Sequence, residues 1–377
     1  MPEFGSDVVQ ALIIAGRPWP MSGGPVDAGT LLWAAEPGTT GESAAMLRAL
    51  RRLRKTPDRG TPPPESTDDP VVQDLDVADP LARLLREAAY LAGAQRVTRN
   101  EPPPAQWRAS AVSGLRAALD EAGEAGVAHV GRVHVLTGVL RSPGAATHGL
   151  PADPADRAEL AATIRADPCW RESGRPNRPA VAMLDGRREL VDRAGFAGWR
   201  DRRLRRSRQY DRYGTGAVRV LLCEATRQAA RLGDGPVTSA HLLLGVAGMA
   251  AQLRAADRRL RPAVRPFNAA LDALSTHGVT LDRAVAAMPD ARVADLAVVP
   301  HGRAQLVVWF PGPGWTAEAV DAVERAVALA RDAGHPETGS SHLTVAALDA
   351  DGTAARLVRA LGADPGAVRD DVARTLP

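Results

Sequence analysis

The chain has 377 residues, 45% of them hydrophobic but only 4% aromatic, interrupted by 30 prolines and 35 glycines. Cores of that composition are Ala, Leu and Val packed closely, which favours helix against helix and disfavours a strand-rich sandwich, and the length suits about two domains. The net charge is only +3 because 47 bases face 44 acids, so although Arg supplies every base but Lys55 and the isoelectric point is near 9.3, the bias reads first as GC-rich coding rather than as nucleic-acid recognition.

Cys169 and Cys223 are too few for a disulfide framework or a zinc site. No apolar run is long enough to span a membrane and no signal peptide opens the chain, so a soluble cytoplasmic protein without a membrane partner is expected. Residues 1–6, Met1-Pro2-Glu3-Phe4-Gly5-Ser6, resemble a translated cloning-site scar and are set aside from the fold.

From residue 7 onward the chain divides into a degenerate double repeat over 7–165, an Arg-rich connecting segment over 166–212 and a second double repeat over 213–377. Within the first part, Gly24-Pro25-Val26-Asp27-Ala28-Gly29-Thr30-Leu31-Leu32 aligns with Gly235-Pro236-Val237-Thr238-Ser239-Ala240-His241-Leu242-Leu243. The Pro-rich acidic stretch at 56–79 reads as a linker or exposed loop. A clearer repeat follows over 109–164. Its first helix ends in acidic Asp120, Glu121 and Glu124, a pattern expected of a solvated surface.

In the connecting segment, 180–191 reads as a small hairpin turning at Asp185-Gly186. Beyond it lies the densest basic run, Arg200, Arg202, Arg203, Arg205, Arg206, Arg208 and Arg212, interleaved with Trp199, Tyr210 and Tyr213. Arginines beside stacking aromatics suit a nucleic-acid backbone and its bases, with Arg200 to Arg208 and Tyr210 as the contacts; a solvated, charge-salted linker is the favoured alternative.

The third repeat spans 213–288, and a second hairpin is expected over 296–310. The last repeat is the most legible. Thr316 caps a helix over 317–333 whose Val320, Val323, Val327 and Ala330 share one face, and Gly334 ends it. His342 opens a short helix over 343–348. A third runs over 353–361, and Asp364-Pro365 starts a fourth that continues toward Thr375.

Three copies share one frame. Gly126, Gly233 and Gly334 each stand eight residues before His134, His241 and His342, and Thr30 takes the histidine position in the first copy. Alanine recurs four and eight residues before each glycine, and four residues after each histidine stands Gly138, Gly245 or Ala346. Alanines on one helix facing small residues on the next let two helix axes approach closely, which gives the repeat a packing reason. The histidines lie in equivalent places of separate repeats, so they read as structural and not as one metal site.

This pattern resembles the N-terminal repeat domain of the Clp ATPases, whose repeats carry a helix, a glycine and then a Gly-Thr-Glu-His-Leu-Leu-like start to the second helix. The resemblance is fullest over 315–376, good over 213–288, moderate over 109–164 and weak over 8–50. It implies a mainly α fold of tandem four-helix repeats forming two pseudo-twofold domains, here with hairpin decorations. Gly29, Val133, Ala240 and Ser341 stand where the family has glutamate before the histidine. Phosphoarginine reading through that glutamate is therefore not expected.

The family's ATPase signature is absent from these 377 residues: Lys55-Thr56 follows Arg51-Arg52-Leu53-Arg54 with no glycine loop to cradle phosphates. The resemblance implies grooves between repeats that take adaptor proteins, peptides or natural products. A non-ATPase binding protein is the leading expectation, acting in sequestration, antibiotic self-resistance or as an adaptor to Clp protease components. A nucleic-acid or DNA-repair protein and an enzyme on a recruited scaffold are the alternatives. No catalytic, cofactor or metal residue is assigned.

Overall fold

In a computed structural model, the residues described are 3–15, 25–34, 69–72, 75, 79–94, 106–142, 153–172, 174, 176–185, 216–293, 296–299 and 313–377. They fall into two compact units, Met1–Asn177 and Arg178–Pro377. Both are mainly helical; the first also holds two-residue strands, and isolated bridges occur in both.

The first unit contains β1 (Glu3–Phe4), α1 (Ser6–Ala15), α2 (Ala28–Ala34), β2 (Val71–Val72), α3 (Pro80–Ala94), β3 (Trp107–Arg108), α4 (Ala109–Glu124), β4 (His129–Val130), α5 (Arg132–Arg141) and α6 (Pro154–Arg165). A 3-10 turn at Pro168–Arg171 follows. The second unit contains α7 (Pro179–Asp185), α8 (Gly216–Leu232), α9 (Ser239–Ala255), α10 (Ala270–Thr276), α11 (Leu281–Ala291), α12 (Ala317–Asp332), α13 (Ser340–Leu348), α14 (Thr353–Ala360) and α15 (Pro365–Arg374).

In each of the three clearer repeats the first helix packs on the second (α4 on α5, α8 on α9, α12 on α13) through the small residues seen in the sequence. A Cβ on Gly138 would lie 2.4 Å from the Gly114 carbonyl oxygen and 2.5 Å from the Ala118 nitrogen, and one on Gly245 would lie 2.6 Å from the Leu221 carbonyl oxygen. Only glycine permits that backbone approach. In the last repeat alanine stands at both equivalent positions, and Ala326 and Ala346 are both buried. Gly126, Gly233 and Gly334 have φ of +69°, +68° and +69° and end α4, α8 and α12 as left-handed C′ residues.

Short backbone pairings fix the helix entries. Phe4 pairs in parallel with Val130, Val26 with Trp107, and Val237 with Trp315. Trp107 also pairs antiparallel with Val72, as Thr316 does with Val298. Phe4, Trp107 and Trp315 thus hold one equivalent place, two residues before the first helix of a repeat, and all three are buried.

Several expectations need correcting. Residues 3–5, set aside in the sequence reading, take part in the packing: Phe4 is buried and the Gly5 amide donates to the Val130 carbonyl at 2.9 Å. Pro179–Asp185 is a helix and not the first strand of a hairpin. Its Ala180, Val181 and Leu184 are buried in the second unit's core, and the Ala180 amide donates to Gln252 Oε1 at 2.8 Å. A short apolar run does not distinguish helix from strand by period alone, and residues 186–191 lie outside the described set. Of the second expected hairpin, 300–310 lie outside it too, while the Val299 amide donates to the Trp315 carbonyl at 2.9 Å.

The close of the expected loop at 56–79 is also part of the fold, since Asp69 accepts from the Ser110 amide at 3.1 Å and from the Ser110 hydroxyl. Helix α13 begins at Ser340, before His342 and not at it. The expected connecting segment is divided: 166–177 belong with the first unit and 178–185 with the second.

Candidate functional site

The three histidines are interior caps. Each is fully buried as the third residue of its helix, and its Nδ1 accepts the backbone N–H of the N-cap residue: His134 from Gly131 at 2.9 Å, His241 from Thr238 at 3.1 Å, His342 from Gly339 at 3.1 Å. This satisfies an N–H that helix geometry leaves open. It also assigns the ring proton to Nε2 in each case. That proton goes to a different acceptor in each repeat: the Trp170 carbonyl at 2.9 Å, Asp234 Oδ2 at 3.2 Å, and His335 Nδ1 at 2.8 Å. Asp234 and His335 both stand seven residues before their histidine, just after the C′ glycine. Thr30 receives the opposite arrangement: Asp27 Oδ1 accepts its amide at 2.7 Å and its hydroxyl at 2.8 Å.

A cleft of about 280 Å³ opens beside His241 in the second unit. Met288 and Ala291 at the end of α11, with Val298 from the bridge to Thr316, supply apolar wall. Val298 is 54% exposed. Asp234 and Arg292 form an ion pair on the rim; the Asp234 side chain is almost fully buried and that of Arg292 about half exposed. Burial alone would raise the Asp234 carboxyl, but hydrogen bonds from His241 and Arg292, with the guanidinium's charge, hold it below the usual carboxylate range.

Thr353, at the start of α14, reaches the same cleft from the last repeat. Its hydroxyl lies 3.0 Å from Ser239 Oγ and accepts the Ala240 amide at 3.0 Å. Glu318 Oε1 accepts the Ser239 amide and Oε2 the Thr353 amide, both at 3.1 Å. One carboxylate from α12 therefore ties the N-termini of α9 and α14 together and fixes the junction between the third and fourth repeats. Ala240 and Ser341, which stand in the family's glutamate position, are buried at repeat contacts, Ser341 Oγ accepting the Ala270 amide at 3.1 Å.

Two further carboxylates were not foreseen as buried. Glu121, expected at a solvated helix end, is wholly buried and accepts from Arg141 at 2.7 Å, from Arg165 Nε at 2.9 Å and from the Trp170 indole at 3.3 Å. Burial pushes its carboxyl up, yet Arg165 and Arg141 outweigh that and keep it lowered. Glu224 is buried against Gly248 and accepts from Arg227 Nε at 2.8 Å and Gln228 at 2.9 Å; burial raises it and Arg227 more than compensates. Sequence spacing gave one signal for this, an arginine three residues after Glu224. Arg141 and Arg165 come from other helices and gave none.

Cys169 packs against the first core, and burial followed by Asp167 pushes its thiol up to about 12, which leaves it a poor nucleophile. Among the described residues there is no group of three His, Cys, Asp or Glu side chains able to hold a metal ion. None of their helices is long and apolar enough to cross a membrane. Arg200, Arg202, Arg203, Arg205, Arg206, Arg208 and Tyr210 lie outside the described residues. What the cleft presents is an apolar wall and one charged pair on a hydrogen-bonded floor, an arrangement suited to holding a ligand.

Residues 315–377 match the family of the Clp repeat (R) N-terminal domain. The chaperone protein ClpC2, chloroplastic, of Oryza sativa subsp. japonica is 30% identical over 190 residues, 49% of this chain and 18% of that protein. The chloroplastic ATP-dependent Clp protease ATP-binding subunit ClpA homolog of Brassica napus is 29% identical over 166 residues, 44% of this chain and 16% of its own. The chaperone protein ClpC1, chloroplastic, of Arabidopsis thaliana is 29% identical over the same length, 15% of its own. The matched region thus spans less than a fifth of each of these relatives.

Proposed function

We propose that this Clp-related chain is a binding protein that takes an apolar peptide, a protein segment or a peptide-like natural product in the groove between its third and fourth repeats. The observation that supports it best is the exposed Val298 beside Met288 and Ala291 in a cleft of about 280 Å³ that the Asp234–Arg292 pair also lines. Apolar walls supply affinity and the few charged groups fix orientation. The role proposed is capture: sequestration of a toxic compound, self-resistance in a producer, or adaptor work for Clp protease components in the cytoplasm.

The test is binding of fluorescent apolar peptides and cyclic-peptide antibiotics to the full chain and to Val298→Asp, with the Met288 methyl signal followed by NMR. Because Val298 is exposed, the substitution should leave folding intact. We expect the retained peptides or antibiotics to lose about tenfold or more in affinity in the variant, about 1.4 kcal/mol, and to shift Met288 only in the unsubstituted chain. Equal binding by both proteins would place any ligand elsewhere and reject the groove.

A further inference from the structure

The third repeat carries an addition that the fourth lacks. Helix α9 runs Ser239–Ala255, whereas its counterpart α13 stops at Leu348. The extra turns lead into a loop that includes Asp257, a non-glycine residue at φ +49°. Between the end of α9 and α10 this addition leaves a concavity of about 360 Å³.

Its lining combines buried Leu253 and Leu260 with Arg254, Arg258, Arg259 and Arg265. Asp257 and Asp272 also line it, so guanidiniums outnumber carboxylates two to one. None of these four arginines pairs with a carboxylate among the described residues. By contrast, exposed arginines elsewhere in the unit do so within 3 Å, as in Arg359–Asp351, Arg369–Asp370 and Arg374–Asp371. The carbonyl end of α9 accounts for one cation in its last turn, Arg254. It does not account for the three beyond it, because the helix field fades within a turn.

We propose that this concavity is a binding site for a small organic anion bearing at least two negative charges, a phosphate ester or a polycarboxylate. Four guanidiniums around one hollow repel one another until an anion or solvent intervenes. Their planar forks match phosphate and carboxylate oxygens two at a time. The leucine floor accepts an apolar body under the charged groups. The site is separate from the groove at His241 and does not depend on the peptide-binding reading.

Isothermal titration of the full chain at low ionic strength tests it, with pyrophosphate and citrate as the divalent-or-higher probes and acetate as the monovalent control. We expect pyrophosphate, citrate or both to bind while acetate does not. Affinity should fall with added salt, and by about tenfold or more in Arg258→Gln/Arg259→Gln and separately in Arg265→Gln. Val298→Asp should bind the anion unchanged. Preference for pyrophosphate would assign the site to phosphate esters, and preference for citrate to polycarboxylates. Failure of both probes to bind, or equal affinity in the arginine variants, would overturn the proposal. So would retention of single-stranded oligonucleotide without pyrophosphate binding, which would give these arginines to a nucleic-acid surface.

Discussion

The second and third repeats differ most in how they bury a carboxylate. In the second, Glu121 draws its arginines from α5 and α6, and both keep their stems near solvent, Arg141 at 42% and Arg165 at 35% exposure. In the third, Glu224 is paired within its own helix by Arg227, itself only 7% exposed, and accepts a hydrogen bond from Gln228. The two repeats nonetheless share the C′ glycine, the histidine cap and the glycine at the helix contact. Backbone approach and capping are thus held constant across copies, while the polar groups around them are free to change. What an identical substitution costs should depend on which partner it strands.

The largest effect should come from the shared element. Gly245→Leu forces a side chain against the Leu221 backbone, where even a Cβ would stand 2.6 Å from the oxygen. Overpacking a rigid contact costs about 3 kcal/mol or more, measurable as a lowered urea midpoint, and an unchanged midpoint would break the claim that this contact defines the repeat. Next comes the contrast between repeats. Glu224→Gln removes the carboxylate that Arg227 meets within α8, a contact with both partners buried, and should cost about 3 kcal/mol. Glu121→Gln frees two half-exposed arginines to reach water and should cost about 1–2 kcal/mol. Equal losses would show that helix-internal and cross-helix pairing are equivalent here.

A third test uses acid. Burial, with the neighbouring His335, depresses the His342 imidazole from 6.5 to about 4. A group depressed in the folded state contributes stability that is fully present above its unfolded value, so stability is lost as pH falls from about 6.5 toward about 4. The lowered carboxyls of Glu121, Glu224 and Asp234 act in the same direction at lower pH, each losing its contribution as pH falls through its depressed folded value. His342→Gln should therefore flatten the melting temperature between pH 6.5 and 4 relative to the unsubstituted chain, while lowering it at pH 7. An equally steep profile in the variant would assign the acid sensitivity elsewhere. The smallest effect is expected at the groove rim. Asp234→Asn keeps a hydrogen-bond acceptor for His241 but releases Arg292, at a cost of about 1 kcal/mol, with a larger change in ligand affinity than in stability if the groove binds as proposed.

Much of the architecture was legible because it is local. Gly334 could be read as a helix end and Thr316 as a cap, since each acts within one turn; Thr316 Oγ1 does accept the Ala319 amide, at 3.4 Å. The register of alanines with Gly138 and Gly245 was legible because repetition exposed it. The helix at 179–185 was misread because Asp185-Gly186 looked like a turn and its apolar residues are too few to show a period. The burial of Glu121 was misread because Arg141 and Arg165 lie far along the chain.

The sequence by itself determined the helical repeat, its glycine stops and its histidine positions, all consequences of backbone geometry within a few residues. Only the tertiary structure decided which acceptor each histidine proton meets, that Glu318 joins the N-termini of α9 and α14, and that Arg254, Arg258, Arg259 and Arg265 surround one hollow. Those depend on distances between segments that chain order does not encode, and they are set by how closely the helices can pack.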